Sequence, residues 1–73
     1  MKKDLIELFS SNMKYIRLKS GLTQEELSFK VGLHRNYISD TERGRRNISL
    51  KAVEKIAEGL GVPVVELFSQ NSS

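Results

Sequence analysis

Cysteine, tryptophan and long apolar runs are missing from this sequence of 73 residues, which also holds a single histidine and a single proline. Without cysteine the chain has no disulfide framework and no thiolate metal site, as is usual in the reducing cytosol. No apolar run approaches the roughly 20 residues that a membrane-spanning helix needs. Acidic Asp4 and Glu7 follow Lys2 and Lys3, unlike in a signal peptide. We therefore predict a cytoplasmic protein without a membrane partner.

Side chains that carry catalysis or hold a cofactor are equally scarce. His34 is the only histidine, and no set of aspartates and glutamates has metal-ligand spacing. No glycine-rich phosphate loop occurs. We expect neither an enzyme nor a metal or other cofactor. A core this small is not expected to hold a pocket for a small-molecule effector, and we expect dimerisation to add stability.

The apolar residues recur at helical spacing and predict an all-α fold. The first helix is predicted over residues 4–19, where one apolar stripe is formed by Leu5, Phe9, Met13 and Ile16. Gly21 is expected to end it. We predict a single domain over residues 1–69, followed by a disordered polar tail over residues 70–73.

Two further helices are predicted after residue 48. Ser49 is a suitable N-cap for the first of them, whose apolar stripe is formed by Leu50, Val53, Ile56, Ala57 and Leu60. Gly61 supplies the stop, and Val62 and Pro63 open a short fifth helix. The fifth helix carries more apolar side chains than one monomer is expected to bury: Val64, Val65, Leu67 and Phe68. We predict that the surplus forms a dimer interface, although Val65 or Phe68 could instead fold over the edge of the core.

The start of a second helix is marked by two local signals. Thr23 and Glu26 lie three residues apart and match a reciprocal capping box. Leu22 before the cap and Leu27 after it match the hydrophobic staple that sets the direction of the incoming chain. These signals predict a helix that begins directly after Thr23.

A glycine turn is predicted to join this second helix to a third. Gly32 is expected to adopt a positive φ, which glycine does at little cost. The third helix is predicted to begin near His34 or Arg35, to bury Ile38 and to end near Arg43 before another glycine. Residues 23–46 therefore predict two short helices joined by a tight turn.

These residues carry a resemblance to a known family. One pattern in this sequence resembles the helix-turn-helix of phage repressors and Cro proteins. It is formed by Gln24, Leu27, Ser28, Gly32, Ile38, Glu42 and Gly44. Residues 34–39 and 42–50 resemble restriction-modification controller proteins more closely. The sequence departs from the general pattern at Ser28, where alanine is commoner, and at Thr41, where an aliphatic residue is usual.

The resemblance implies a compact five-helix, lambda-repressor-like domain that regulates transcription. As a controller protein, the chain would bind a palindromic operator in double-stranded DNA as a homodimer and tune its own gene and a restriction endonuclease gene. A phage-type repressor or an antitoxin regulator of the same fold is the alternative. The resemblance also implies an ion pair between Arg17, late in the first helix, and Glu42, at the end of the third.

The positive charge is concentrated on the predicted reading element. Residues 30–51 hold six lysines and arginines against Asp40 and Glu42, whereas the rest of the chain is slightly acidic. Such a cluster is the electrostatic footprint expected of a phosphate-binding surface. The charge distribution therefore favours DNA as the partner.

A recognition helix reads bases mainly from its N-terminal end, because that end reaches deepest into the major groove. Arg35 has the planar fork that matches O6 and N7 of guanine, and Asn36 can match adenine or contact the backbone. The predicted base-reading residues are Arg35, Asn36, Ser39 and, by resemblance, Arg46. The predicted DNA-backbone contacts are Gln24, Tyr37, His34, Arg43, Asn47 and Lys51. His34 could instead cap the helix, and Asp40 either accepts from a cytosine amine or points to solvent.

A protein-interaction module is the competing functional class. Its helix would present aliphatic or aromatic anchors at helical spacing to a protein groove. The exposed face predicted here offers Arg35, Asn36, Ser39 and Arg43 instead, with Tyr37 as the one candidate anchor. The sequence therefore favours DNA binding over this alternative.

Overall fold

Helices account for all the regular secondary structure in residues 4–70, the part of the chain that the computed structural model describes. The four α-helices are α1 (Leu5–Lys19), α2 (Gln24–Val31), α3 (Arg35–Glu42) and α4 (Leu50–Leu60). A short 3-10 helix, Val64–Phe68, follows. The predicted all-α class is confirmed. Within residues 4–70, none of these helices combines the length and the apolar character needed to cross a membrane.

The predicted fifth helix is a 3-10 helix rather than an α-helix. It spans five residues after Pro63 and has no side-chain cap, and short pieces of chain often adopt this tighter form. Most of the predicted polar tail, residues 71–73, lies outside the described residues, as do residues 1–3 of the predicted domain.

The ends of the α-helices are fixed by the residues that the sequence indicated. Thr23 Oγ1 accepts the Glu26 N–H at 3.0 Å, and Glu26 Oε1 accepts the Thr23 N–H at 2.9 Å, so the predicted capping box is confirmed. Ser49 caps α4 by accepting the Ala52 N–H at 3.1 Å. Gly32 and Gly61 end α2 and α4 with φ values of 73°. Both α2 and α4 therefore start and stop for a local reason.

The core lies where α1, α2, α3, α4 and the 3-10 helix converge. Its buried members are Phe9, Met13, Leu27, Val31, Ile38, Val53, Ile56, Ala57, Leu60 and Leu67. Two residues that were predicted in the apolar stripes are instead exposed: Leu5 by 65% and Leu50 by 83%. Each is the first residue of its helix, so its side chain projects beyond the edge of the core.

Two buried polar residues of α1 tie distant parts of the chain together. Ser10 Oγ donates to the Thr41 carbonyl at 2.6 Å. The Asn12 side-chain amide donates to the carbonyls of Leu67 and Ser69 at 3.0 and 2.9 Å. Burying polar groups is costly unless they are paired. These bonds therefore satisfy α1 while they hold α3 and the C-terminal segment against it.

Thr41, one of the two departures from the family pattern, is accommodated without an unpaired hydroxyl. The residue is 2% exposed, and its Oγ1 donates to the Tyr37 carbonyl one turn earlier at 2.7 Å. A threonine in a helix often bonds its own backbone in this way. The hydroxyl therefore needs no partner outside α3.

Gly59 lets α4 approach α2 closely. A Cβ built on this glycine would overlap Val31 Cγ1 and would lie 3.4 Å from Leu27 Cδ1. Its backbone is ordinary helix, so the glycine is required by space and not by a left-handed conformation. Nothing in the helical pattern of the sequence singled this position out.

Replacing Gly59 with alanine is expected to lower the free energy of unfolding by about 1–3 kcal/mol, because the added methyl group overpacks the contact with Val31. In an unobstructed helix the same change would be stabilising, so the sign of the effect is diagnostic. Urea denaturation at fixed protein concentration measures it. Glu58→Ala, at an exposed neighbouring position, is the control and should change stability by less than about 0.5 kcal/mol. A Gly59→Ala variant as stable as the parent would contradict the close approach.

Candidate nucleic-acid interface

The turn between α2 and α3 is held by local hydrogen bonds. The N–H groups of Gly32 and Leu33 both donate to the Ser28 carbonyl, at 2.9 and 3.2 Å. Leu33 packs against the core, and His34 starts α3 by accepting the Asn36 N–H on Nδ1 at 3.0 Å. The structure thus gives His34 the helix-capping role that the sequence left as an alternative. The turn sets the direction in which α3 leaves α2.

A buried ion pair fixes the other end of α3. Arg17 Nε and Nη2 donate to the two carboxylate oxygens of Glu42, at 2.6 and 3.0 Å. Only 8% of the Arg17 side chain and 3% of the Glu42 side chain are exposed. Arg17 Nη1 also donates to the Leu22 carbonyl at 2.7 Å, in the segment that leads into α2. The pair therefore connects α1, α3 and the start of α2.

The protonation of Arg17 follows from this geometry. Its hydrogen bond to Glu42 raises the pKa of the guanidinium above its ordinary value, and this effect outweighs the opposing effect of burial. Arginine is already charged throughout the accessible pH range. The cation is therefore permanent, and Glu42 always has a positive partner while the domain is folded.

Gln24 belongs to the same buried cluster. Its side-chain Nε2 donates to Glu42 Oε1 at 3.1 Å, and the residue is half-buried at the start of α2. The sequence predicts a contact between Gln24 and the DNA backbone, but its pattern does not indicate this internal bond. One donor of its amide is thus used within the domain, and Gln24 also supports the carboxylate that fixes α3.

The outer face of α3 is polar and accessible. Ile38 and Thr41 turn into the core, whereas Arg35 and Asn36 are exposed and Ser39 is half-buried. These three polar residues share one side of the helix because they lie at positions i, i+1 and i+4. The structure therefore brings together the three base-reading residues predicted on α3.

The predicted contacts that follow α3 lie mainly at the surface. The exposed members of this group are Arg43, Arg46, Asn47 and Lys51, and the neighbouring Arg45 is exposed as well. Tyr37 is half-buried, and the Arg46 guanidinium carbon lies 4.4 Å from the centroid of its ring. Asp40 Oδ2 lies 3.6 Å from Arg46 Nη2. An accessible basic surface thus continues from α3 into the following loop.

Comparison with known proteins places this geometry in a family. A family model described as helix-turn-helix matches residues 13–67. Control protein C.BamHI of Bacillus amyloliquefaciens is 52% identical over 61 residues, which cover 82% of this chain and 75% of the relative. The restriction-modification controller protein C.AhdI from Aeromonas hydrophila is 40% identical, with a TM-score of 0.84 over 86% of this chain and 96% of that one. The chain belongs to the helix-turn-helix family of controller proteins.

A solved member of the controller family shows the fold in an assembly. C.Esp1396I, a restriction-modification controller protein, is 43% identical, and the match covers 92% of this chain and 88% of that one, with a TM-score of 0.83. Its structure is that of a tetramer in complex with its natural 35 base-pair operator. The predicted resemblance to controller proteins is therefore confirmed.

The predicted dimer surface is only partly available in this controller domain. Val64 and Val65 are exposed by 40% and 68%. Phe68 is half-buried, with its ring centroid 5.4 Å from that of Phe9. Leu67 is wrongly assigned to the surface, because it is fully buried in the core of its own monomer. Asn12 binds the Leu67 carbonyl and holds the 3-10 helix against α1 in this position.

Proposed function

We propose that this chain is a transcription regulator, and not an enzyme, that acts in the cytoplasm on operator DNA. As a homodimer it would bind a two-fold symmetric operator and control a restriction-modification operon that includes its own gene. The observation that carries the proposal is the placement of α3. Its polar face is open to solvent at Arg35 and Asn36, while the Arg17–Glu42 pair and the Gly32 turn hold both of its ends. A gene for a methyltransferase and one for an endonuclease beside this gene would support the operon assignment.

Base reading is assigned to the exposed polar face and the loop beyond it. Arg35 would place its guanidinium fork on O6 and N7 of a guanine, and Asn36 would bind an adenine edge. Ser39, one turn further along, would contact a neighbouring base, and Arg46 would reach a base from the loop. The accessibility of these residues and the rigid support of α3 favour this assignment.

Phosphate contacts are assigned to the residues that surround the reading face. The His34 ring uses Nδ1 as an acceptor for its cap, so the proton of the neutral ring lies on Nε2, where it can donate to a phosphate. The remaining donors are Tyr37, Arg43, Asn47 and Lys51. Gln24 would contribute through the second donor of its amide, and the free N–H groups at the start of α2 also suit a phosphate. These contacts would position the domain without reading sequence.

Two subunits are needed because one short helix contacts only a few base pairs. In a dimer the two copies of α3 would enter successive major grooves, about 34 to 36 Å apart or a multiple of that distance. We assign the subunit contact to Val64, Val65 and the exposed part of Phe68. Such a pairing would leave α3 free, since the 3-10 helix packs mainly against α1 and α4 rather than against α3.

The salt dependence of binding tests the electrostatic part of the proposal. If each subunit neutralises about four phosphates, a plot of log affinity against log salt concentration should have a slope near −7 for the dimer. The operator is first selected from a random duplex pool, and its affinity is then titrated across salt concentrations. Selection of a palindrome together with a steep slope supports the proposal. A slope near zero, or a pool that shows no enrichment, would refute it.

A further inference from the structure

The chain folds back over α3 immediately after the helix ends. Gly44 has φ 72°, its N–H donates to the Thr41 carbonyl at 3.0 Å, and the Arg45 N–H donates to the Asp40 carbonyl at 3.0 Å. This pair of bonds is the Schellman arrangement, in which a left-handed glycine reverses the chain at a helix C-terminus. The reversal returns the next residue, Arg46, to the surface of the helix it has just left.

Arg46 there meets two side chains of α3, and we name these three residues the Tyr37–Asp40–Arg46 cluster. Tyr37 and Asp40 are three residues apart and share a face of the helix. The Arg46 guanidinium carbon lies 4.4 Å from the Tyr37 ring centroid, and its Nη2 lies 3.6 Å from Asp40 Oδ2. An aromatic face and a carboxylate both attract a guanidinium. Both contacts therefore favour this position of the Arg46 side chain in the free protein.

Asp40 is an unexpected residue on a surface that binds phosphate. Between residues 34 and 53 the only other acidic residue is Glu42, whose carboxylate is buried against Arg17. Asp40 is instead 38% exposed. A carboxylate at this position repels every phosphate that approaches, whatever the sequence of the DNA. Because this repulsion weakens binding to all DNA alike, it does not itself change specificity, and the one side chain through which Asp40 could change it on this surface is its ion-pair partner Arg46.

We propose that Asp40 is a specificity-determining residue that acts through Arg46. By pairing with Arg46 over the Tyr37 ring, it withholds the charge of this arginine from sequence-independent phosphate binding. The inference rests on the proposed function, in which α3 faces the major groove. Specificity is a difference between two binding free energies. An interaction that weakens binding to the wrong DNA therefore raises specificity as effectively as a new contact with the operator does.

A G·C base pair is the partner that fits both members of the ion pair. The guanine edge presents two acceptors, O6 and N7, in the geometry of the guanidinium fork, and the cytosine N4 amine is a donor for a carboxylate. A phosphate can replace the Asp40 carboxylate as the anionic partner of Arg46, but it has no donor that could bind the Asp40 carboxylate in return. The ion pair is half-exposed and therefore weak. A matching G·C pair can therefore replace the ion pair with contacts to both residues, whereas a phosphate can replace it with a contact to Arg46 alone.

The test compares the duplex selected from the random pool with a scrambled duplex of the same length. Asp40→Asn removes the charge and keeps the shape of the side chain. It should tighten binding to the scrambled duplex roughly tenfold at about 0.1 M salt and steepen the salt slope by about one to two for the dimer. Binding to the selected duplex should not gain, so the ratio of the two affinities falls about tenfold. Glu7→Gln, an equal charge change at an exposed position in the first turn of α1, should leave the ratio unchanged.

A double variant shows whether Asp40 acts through Arg46. In an Arg46→Gln background, Asp40→Asn should cause no further fall in the affinity ratio, because the residue that it restrains is gone. A fall as large as that in the parent would overturn the proposal, and so would an Asp40→Asn variant that behaves like Glu7→Gln. In both cases a parent that still prefers its selected duplex leaves the proposed function standing. A parent without any preference overturns both.

Discussion

Replacing Arg17 with methionine is expected to lower the free energy of unfolding by about 3–5 kcal/mol, because it leaves a buried carboxylate without its cation. Glu42 would keep only the bond from Gln24, at 3.1 Å, and its side chain is 3% exposed. The Leu22 carbonyl would lose the Arg17 donor as well. Because small domains are stabilised by only about 5–15 kcal/mol, this loss is a large fraction of the total.

Urea denaturation at one fixed protein concentration measures this effect, since the stability of a dimer depends on concentration. Arg45→Met removes an exposed arginine and should change stability by less than about 0.5 kcal/mol. The double variant Arg17→Met, Glu42→Leu removes both charges and should recover much of the loss. A loss below about 1 kcal/mol in the single variant would mean that water reaches Glu42 and that the pair does not support α3.

Replacing Arg35 with alanine is expected to abolish the preference for one base pair in each half-site of the operator. A bidentate arginine–guanine contact contributes about 1–3 kcal/mol of discrimination. Two half-sites double that figure to about 2–6 kcal/mol, which corresponds to a fall in operator affinity of roughly 30-fold to 20,000-fold. Binding to a scrambled duplex should weaken only by the loss of one positive charge per subunit.

Selection from a random duplex pool, repeated with Arg35→Ala, measures this change position by position. Lys51→Ala is the matched control, because Lys51 is exposed and is assigned to phosphate. It should weaken binding to all duplexes about equally and lower the salt slope by about one per subunit. If Arg35→Ala gives the same uniform weakening, then Arg35 contacts phosphate and the base-reading assignment is wrong.

The helix ends that the sequence predicted correctly are those with local causes. The Thr23 and Glu26 capping box, the Ser49 cap and the Gly32 turn each depend on residues within a few positions of one another. Such interactions can be recognised from spacing alone. The Asn12 bond to Leu67 joins residues 55 positions apart, and no local pattern contains that information.

The residues whose burial was predicted wrongly lie at or near the ends of helices, where tertiary packing decides which side chains are buried. Leu5 and Leu50 continue the apolar spacing of their helices but project past the core. Leu67 is buried because Asn12 holds its segment against α1. Gly59 has no sequence signal at all, since its role depends on where Val31 lies in another helix.

The candidate site was predictable to a similar extent. Helical geometry was enough to group Arg35, Asn36 and Ser39 on one face. The partner of Arg17 followed from resemblance to a family and not from the spacing of the residues. The internal bond of Gln24 and the approach of Arg46 to Asp40 depend on side-chain conformations, which a list of residue types does not specify.

The polar side chains in the middle of α1 have a consequence for the geometry of the assembly. Ser10 is fastened to α3 through the Thr41 carbonyl, and Asn12, two residues later, is fastened to the C-terminal segment. In a dimer joined as proposed, the 3-10 helix that meets the partner and the α3 helix that enters the major groove would thus both be anchored to α1. The distance between the two α3 helices would then be fixed, so the dimer would recognise the spacing of the two half-sites as well as their base sequence.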